Sequence, residues 1–253
     1  MSPDGLETFF RFAFPPNKLN YCGPEGIHKK IIEFLKGNKE LENELTSSVH
    51  EFSIAYSYLK LIAKSNFIRD PLDERAVEAY WIGNELLEKV SDSALKRVIH
   101  SEFPKFTSVP EDILLKLVLN FPAGALPHHS FHVFQLLSLT DKVIPVVEYM
   151  DSCRIGFGKV TSFGETKLMV SFKPIVALNE NLLFGDSTLK ELDFIPELFP
   201  NLKEDSLIAF HWNTACMELN LNQFGRLRHY TQHTMDCINM NKEVKNKRID
   251  LTT

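Results

Sequence analysis

The sequence predicts an α+β fold in two parts: a helical N-terminal domain over residues 1–149, then a small β domain with a C-terminal helix over residues 150–241. Three observations carry that reading. Apolar residues recur at helical spacing through the first 149 positions, the period shortens to two near residue 150, and the helical period returns from about Asn220. Residues 242–253 are polar and read as a frayed tail.

The bulk composition sets the class. The chain has 253 residues, 44% of them hydrophobic and 24% charged, and its twenty phenylalanines supply a sizeable core. A net charge of −5 argues against a broad nucleic-acid surface. No apolar run reaches the length of a membrane span. The opening "MSPDGLETFF" has no basic segment followed by a long apolar one, so no export signal is expected. Four cysteines, Cys22, Cys153, Cys216 and Cys237, are widely spaced with no CxxC pair, which fits reduced thiols in a cytoplasmic protein.

The helical part reads element by element. "IHKKIIEFL" spaces Ile27, Ile31, Ile32, Phe34 and Leu35 along one face, and "FSIAYSYLKLIA" does the same with Phe52, Ala55, Tyr56, Leu59 and Ile62. In "DPLDERAVEAYW", Asp70 is expected to cap a helix, with Pro71 in its first turn and Asp73 as the capping-box acid. "VPEDILLKLVLNF" is expected to start a helix in the same way at Pro110. "FAFPPNKLNYCGPEG", with two prolines and Gly23-Pro24, predicts an ordered loop pinned by Phe14 and Tyr21, with Cys22 as a buried small hydrophobe.

The β part begins with "CRIGFGKVTSF", read as a strand with Cys153 at its head. Phe163-Gly164-Glu165 supplies a turn, and "TKLMVSF" alternates Leu168, Val170 and Phe172 with Lys167, Met169 and Ser171. "LLFGDSTLKELDFI" holds further short strands, and "EDSLIAFHW" is an apolar strand ending at His211. In the final helix Phe224, Leu227, Thr231, Met235 and Ile238 share one face.

Two histidine-rich patterns could hold a metal. "LPHHSFHVFQLL" places His128 and His132 four apart on a helix that Pro127 could open, with His129 beside them. Such a cluster would suit a metal-dependent enzyme, although the motif lacks the carboxylate of HExxH. His229, His233 and Cys237 recur every four residues on the last helix, opposite its apolar face, as a weaker zinc or nickel candidate. The sequence contains no GxGxxG, P-loop or GxSxG.

The order of features from residue 150 to 240 resembles the HypC type of [NiFe]-hydrogenase maturation chaperone. The correspondence runs from Cys153, through Gly158-Lys159-Val160 and the alternating strand, to Asp205 in a late turn, His211 at a strand end, Ala215 after it, and a final helix. The full-length pattern, including "PHHSFHVF" and the "FAFPPN…YCGP" loop, also looks like an uncharacterised prokaryotic family. The HypC-type resemblance implies that the β domain is a small OB-like barrel. It implies a non-enzymatic factor whose Cys153 and His211 carry iron with cyanide and carbonyl ligands. It further implies docking on a hydrogenase large-subunit precursor or a HypD-like scaffold, with Arg154, Gly158, Lys159 and Trp212 as contacts. A thiolate is a soft ligand suited to low-spin iron, and an imidazole is a fitting second ligand. A metal-free interaction module is the remaining alternative.

Overall fold

The computed structural model describes residues 4–102, 115, 118–119, 121–137, 146–179 and 181–250, with side chains described up to residue 241. Among the described residues, six helices come first: α1 Gly5–Lys18, α2 His28–Leu35, α3 Glu42–Ser48, α4 Ser53–Ser65, α5 Glu74–Trp81 and α6 Asp92–Glu102. Two more, α7 His129–Leu137 and α8 Val146–Cys153, lead into the strands. The strands are β1 Gly156–Phe163, β2 Lys167–Phe172, β3 Ile175–Leu178, β4 Asn181–Phe184, β5 Thr188–Asp193, β6 Leu207–His211 and β7 Thr214–Leu219. The last helix, α9, spans Leu221–Asp250. The result is a mixed α/β fold with helices first, a sheet after them and a helix at the end.

Several boundaries differ from expectation, each for a local reason. Cys153 does not head a strand; it is the last residue of α8, and β1 starts only at Gly156. The cap of α5 is Asp73 itself, which accepts from the Arg75 N–H at 3.0 Å, while Asp70 accepts from the Leu72 N–H in the turn before it. Pro15 and Pro16 lie inside α1 rather than in the following loop, and Phe14 is buried within the same helix. The polar stretch after residue 241 continues α9 to Asp250. The helix start expected at Pro110 lies outside the described residues.

β1 pairs antiparallel with both β2 and β6, β2 with β5, and β6 with β7; β5 meets β7 through one parallel pair, Asp193–Thr214. β3 and β4 form a separate hairpin. Two glycines allow β1 its neighbours. A Cβ on Gly156 would lie 2.2 Å from the Phe210 ring, and one on Gly158 would lie 2.3 Å from Val170. β2 shows the alternation its sequence predicts, with Leu168, Val170 and Phe172 buried.

The helical and β parts share one apolar core. It runs without a break from Leu6 and Phe9 in α1, through Tyr58 and Trp81, to Val160, Phe210 and Leu227. A second cluster joins Phe134 of α7, Met150 of α8, Ile175 and Leu182 of the β3–β4 hairpin, and Met235 and Ile238 of α9. The predicted apolar face of α9 is therefore real: Leu227, Thr231, Met235 and Ile238 are all buried. Among the described residues, no helix is long and apolar enough to cross a membrane.

Candidate metal centre

β6 ends at His211, and a two-residue turn, Trp212-Asn213, leads into β7. Both turn residues have positive φ, 48° and 54°, the conformation of the tight hairpin turns that match strand twist. A tryptophan in the left-handed region is costly and must be held there. The Trp212 N–H donates to the Ser152 carbonyl at 3.0 Å, and its ring packs against Tyr21 and Tyr149 at centroid distances of 4.6 and 4.9 Å. This strained turn ties the end of β6 to the end of α8, and so brings His211 to Cys153.

α8 is itself anchored from below. Arg154, fully buried, pairs with Asp151 at 2.7 Å and donates to the Lys173 carbonyl, and Asp151 also accepts from the Ile175 N–H. Arg154, expected as a partner contact, thus lies inside the chain rather than at its surface. Lys159 is exposed and paired with Asp205 at 2.8 Å, so these two residues of the resemblance do meet across β1 and the late turn. Gly158 faces β2, and Trp212 belongs to the aromatic cover of the site.

The orientation of His211 follows from the prolines in α1. A helix carbonyl normally accepts from the N–H four residues later, and Pro16 has none to give to Phe12. The His211 Nδ1–H donates to that Phe12 carbonyl at 2.8 Å. The bond fixes the tautomer: Nε2 carries the lone pair. That atom is buried and has no hydrogen-bond partner. Burial holds the ring neutral, with its pKa down at about 4 despite the opposing pull of the Phe12 and Cys153 carbonyls.

His129 completes the group. Its Nε2 lies 2.9 Å from the Cys153 carbonyl and its Nδ1 lies 3.0 Å from the Tyr80 hydroxyl. Since a carbonyl can only accept, Nε2–H donates and Nδ1 accepts from Tyr80. Burial, then the neighbouring His211 and His132, push its pKa well below the usual histidine value. Among the described residues, His129, Cys153 and His211 form the group whose ligand atoms all lie within 4.8 Å of one another. The Cys153 thiol is pushed up to about 12, first by burial and then by Cys22, with Trp212 pulling the other way. Cys22 is likewise raised to about 11 by burial.

The chain belongs to the DUF6390 family of unknown function. The match to that family spans residues 1–245, so it takes in the helical part, the sheet and nearly all of α9. No curated protein and no solved structure matches the chain.

The remaining candidates of this family member are scattered. His128 precedes α7, is fully buried and stacks on Tyr230 at 6.0 Å; burial lowers its pKa to about 3. His132 packs edge-on against Tyr58 at 5.9 Å, and burial lowers its pKa to about 4. The expected HHxxH cluster thus divides among three environments, and its middle histidine joins the thiol. On α9 the His233 Nε2 lies 2.8 Å from the Gly124 carbonyl, with Cys237 Sγ 3.5 Å away, and the His229 and His233 rings are 6.4 Å apart. Sequence reading missed Tyr80 and the Phe12 carbonyl as supporting groups. The visible signal for the second was Pro16, which frees a carbonyl wherever it falls inside a helix.

The donor set fits a borderline or soft metal: one thiol and two neutral imidazoles. His211 offers its lone pair as it stands. His129 can offer Nε2 by moving its proton to Nδ1, where Tyr80 can accept as readily as it donates, so that bond survives the change. A metal would displace the thiol proton that burial now retains.

Proposed function

We propose that this protein is a non-enzymatic maturation factor that carries a transition-metal fragment on Cys153, His211 and His129 and delivers it to a metalloenzyme in the cytoplasm. The observation that carries the reading is the meeting of Cys153 and His211, far apart in sequence, with a third ligand-grade side chain beside them. That pairing is what the HypC-type resemblance requires. The strand order supports it too. Taken in chain order as first to fifth, β1, β2, β5, β6 and β7 pair 1-2-3-5-4 and back to 1, with the third and fifth parallel, the arrangement of an OB barrel. By the same resemblance, the cargo is iron with cyanide and carbonyl ligands, and the partners are a hydrogenase large-subunit precursor or its HypD-like scaffold.

The test is an anaerobic infrared spectrum of protein isolated from cells that make hydrogenase machinery, beside Cys153→Ala and His211→Ala. Cyanide and carbonyl bands in the parent and not in the variants are expected. A parent with neither bands nor metal would overturn the carrier reading. The second reading, a metal-free docking module, then gains from one specific observation: both nitrogens of His129 already have protein partners.

A further inference from the structure

A pocket of about 180 Å³ is lined by residues of β1, β2, the β3–β4 hairpin and the start of α9, and none of the cysteine–histidine group lines it. Four phenylalanines shape it: Phe157, Phe172, Phe184 and Phe224. Phe157 stands edge-on to Phe184 at 5.7 Å and to Phe224 at 5.3 Å, so the walls are fixed by mutual ring contacts. The buried Arg154 guanidinium sits 5.5 Å and 5.6 Å from the Phe157 and Phe184 centroids and braces both rings.

The polar part of the lining has one sign. Lys159, Lys173 and Arg228 line the pocket with Ser171 and Ser187, and among the described residues no acidic one does, in a chain with 33 acids against 28 lysines and arginines. Lys159 is matched by Asp205. Among the described residues, Lys173 and Arg228 have no ion pair, and both are exposed at the pocket. Aromatic walls with two uncommitted cations at the rim call for a ligand with an apolar ring and a negative headgroup. The volume sets its size. A cavity of about 150 Å³ accepts benzene, so this one has room for one ring, with a headgroup at its rim.

We propose that this pocket binds a small monocyclic aromatic acid, its ring against Phe157, Phe184 and Phe224 and its anionic group on Lys173 and Arg228. The site is independent of the metal reading and would stand if that reading fell.

Calorimetric titration of the full chain with phenyl phosphate tests it, beside inorganic phosphate, which lacks the ring, and benzyl alcohol, which lacks the charge. Phenyl phosphate is expected to saturate one site, with both controls at least about tenfold weaker. Lys173→Gln with Arg228→Gln should weaken phenyl phosphate about tenfold and leave benzyl alcohol unchanged. Ser187→Trp, an exposed substitution that fills the pocket, should abolish binding in a chain that remains folded by circular dichroism. Equal binding of the three probes, or phenyl phosphate affinity untouched by Ser187→Trp, would overturn the proposal.

Discussion

Two regions of this molecule carry the same inventory, two histidines and a cysteine, and they differ in how the backbone delivers it. His129, Cys153 and His211 come from the start of α7, the end of α8 and the end of β6, and their ligand atoms gather within 4.8 Å. His229, His233 and Cys237 sit on one straight helix, where a repeat of four sets side chains one above another. Neighbouring side chains on a helix are several ångströms apart and point outward, so three of them do not close on one point. Convergence needs tertiary structure, and only the first set has three elements docked end to end.

Four changes would sharpen that contrast. Among the substitutions, the largest effect is expected at the anchor of α8. Asp151→Ala leaves Arg154 buried without its partner and should cost about 3–5 kcal/mol in urea unfolding. The exposed Gln232–Asp236 hydrogen bond on α9 is a fitting control, and Asp236→Ala should change stability by less than about 0.5 kcal/mol. Next come the ligands themselves. Cys153→Ala or His211→Ala should weaken cobalt binding by more than about 100-fold, beyond the loss expected of a supporting residue. His229→Ala with His233→Ala should leave the same titration unchanged, and a comparable loss there would erase the distinction drawn here.

Acid provides a third comparison. His128, His132 and His211 are held neutral by burial, with pKa values near 3, 4 and 4. The unfolded chain takes up protons at these positions near pH 6.5, while the folded chain refuses them until about pH 4 or below. Stability is therefore full above about pH 6.5 and falls as the pH drops toward 4, by about 1.4 kcal/mol per unit for each ring. Urea midpoints measured across that range check the slope, and His211→Gln should make it shallower. The smallest effect belongs to Tyr80→Phe, which removes the hydroxyl from His129 Nδ1 and should cost about 1–3 kcal/mol. A cobalt affinity that also fell about tenfold would mark Tyr80 as a positioning residue.

The sequence made some of this legible and hid the rest for identifiable reasons. Leu168, Val170 and Phe172 alternate, and β2 is where that alternation puts it. The strand ending at His211 could be read because its apolar run, Leu207 to Phe210, stops at that histidine. β7 was invisible: "TACMEL" buries Ala215, Cys216 and Met217 in a row, so no alternation shows. Cys153 was read as a strand head because α8 is only eight residues long, two turns with little period to detect. In the candidate site, the pairing of Cys153 with His211 came from resemblance, since no local pattern states a contact between α8 and β6. The choice of His129 over His128 and His132 depends on which ring reaches Tyr80 and the Cys153 carbonyl, a question of docking that spacing cannot answer.

The carbonyl that Pro16 releases has a consequence for the order of events in the cell. Phe12 lies near the start of the chain and His211 near its end, so their hydrogen bond closes one of the longest loops the molecule has. Contacts of such separation are slow to form and come after local structure. The ring that presents its lone pair to the group is thus set only when the first helix, α7, α8 and the sheet are all in place. Binding there adds stability to the finished fold alone. A nascent or damaged copy would lack the gathered group, so a ligand that needs all three side chains at once would distinguish finished chains from incomplete ones.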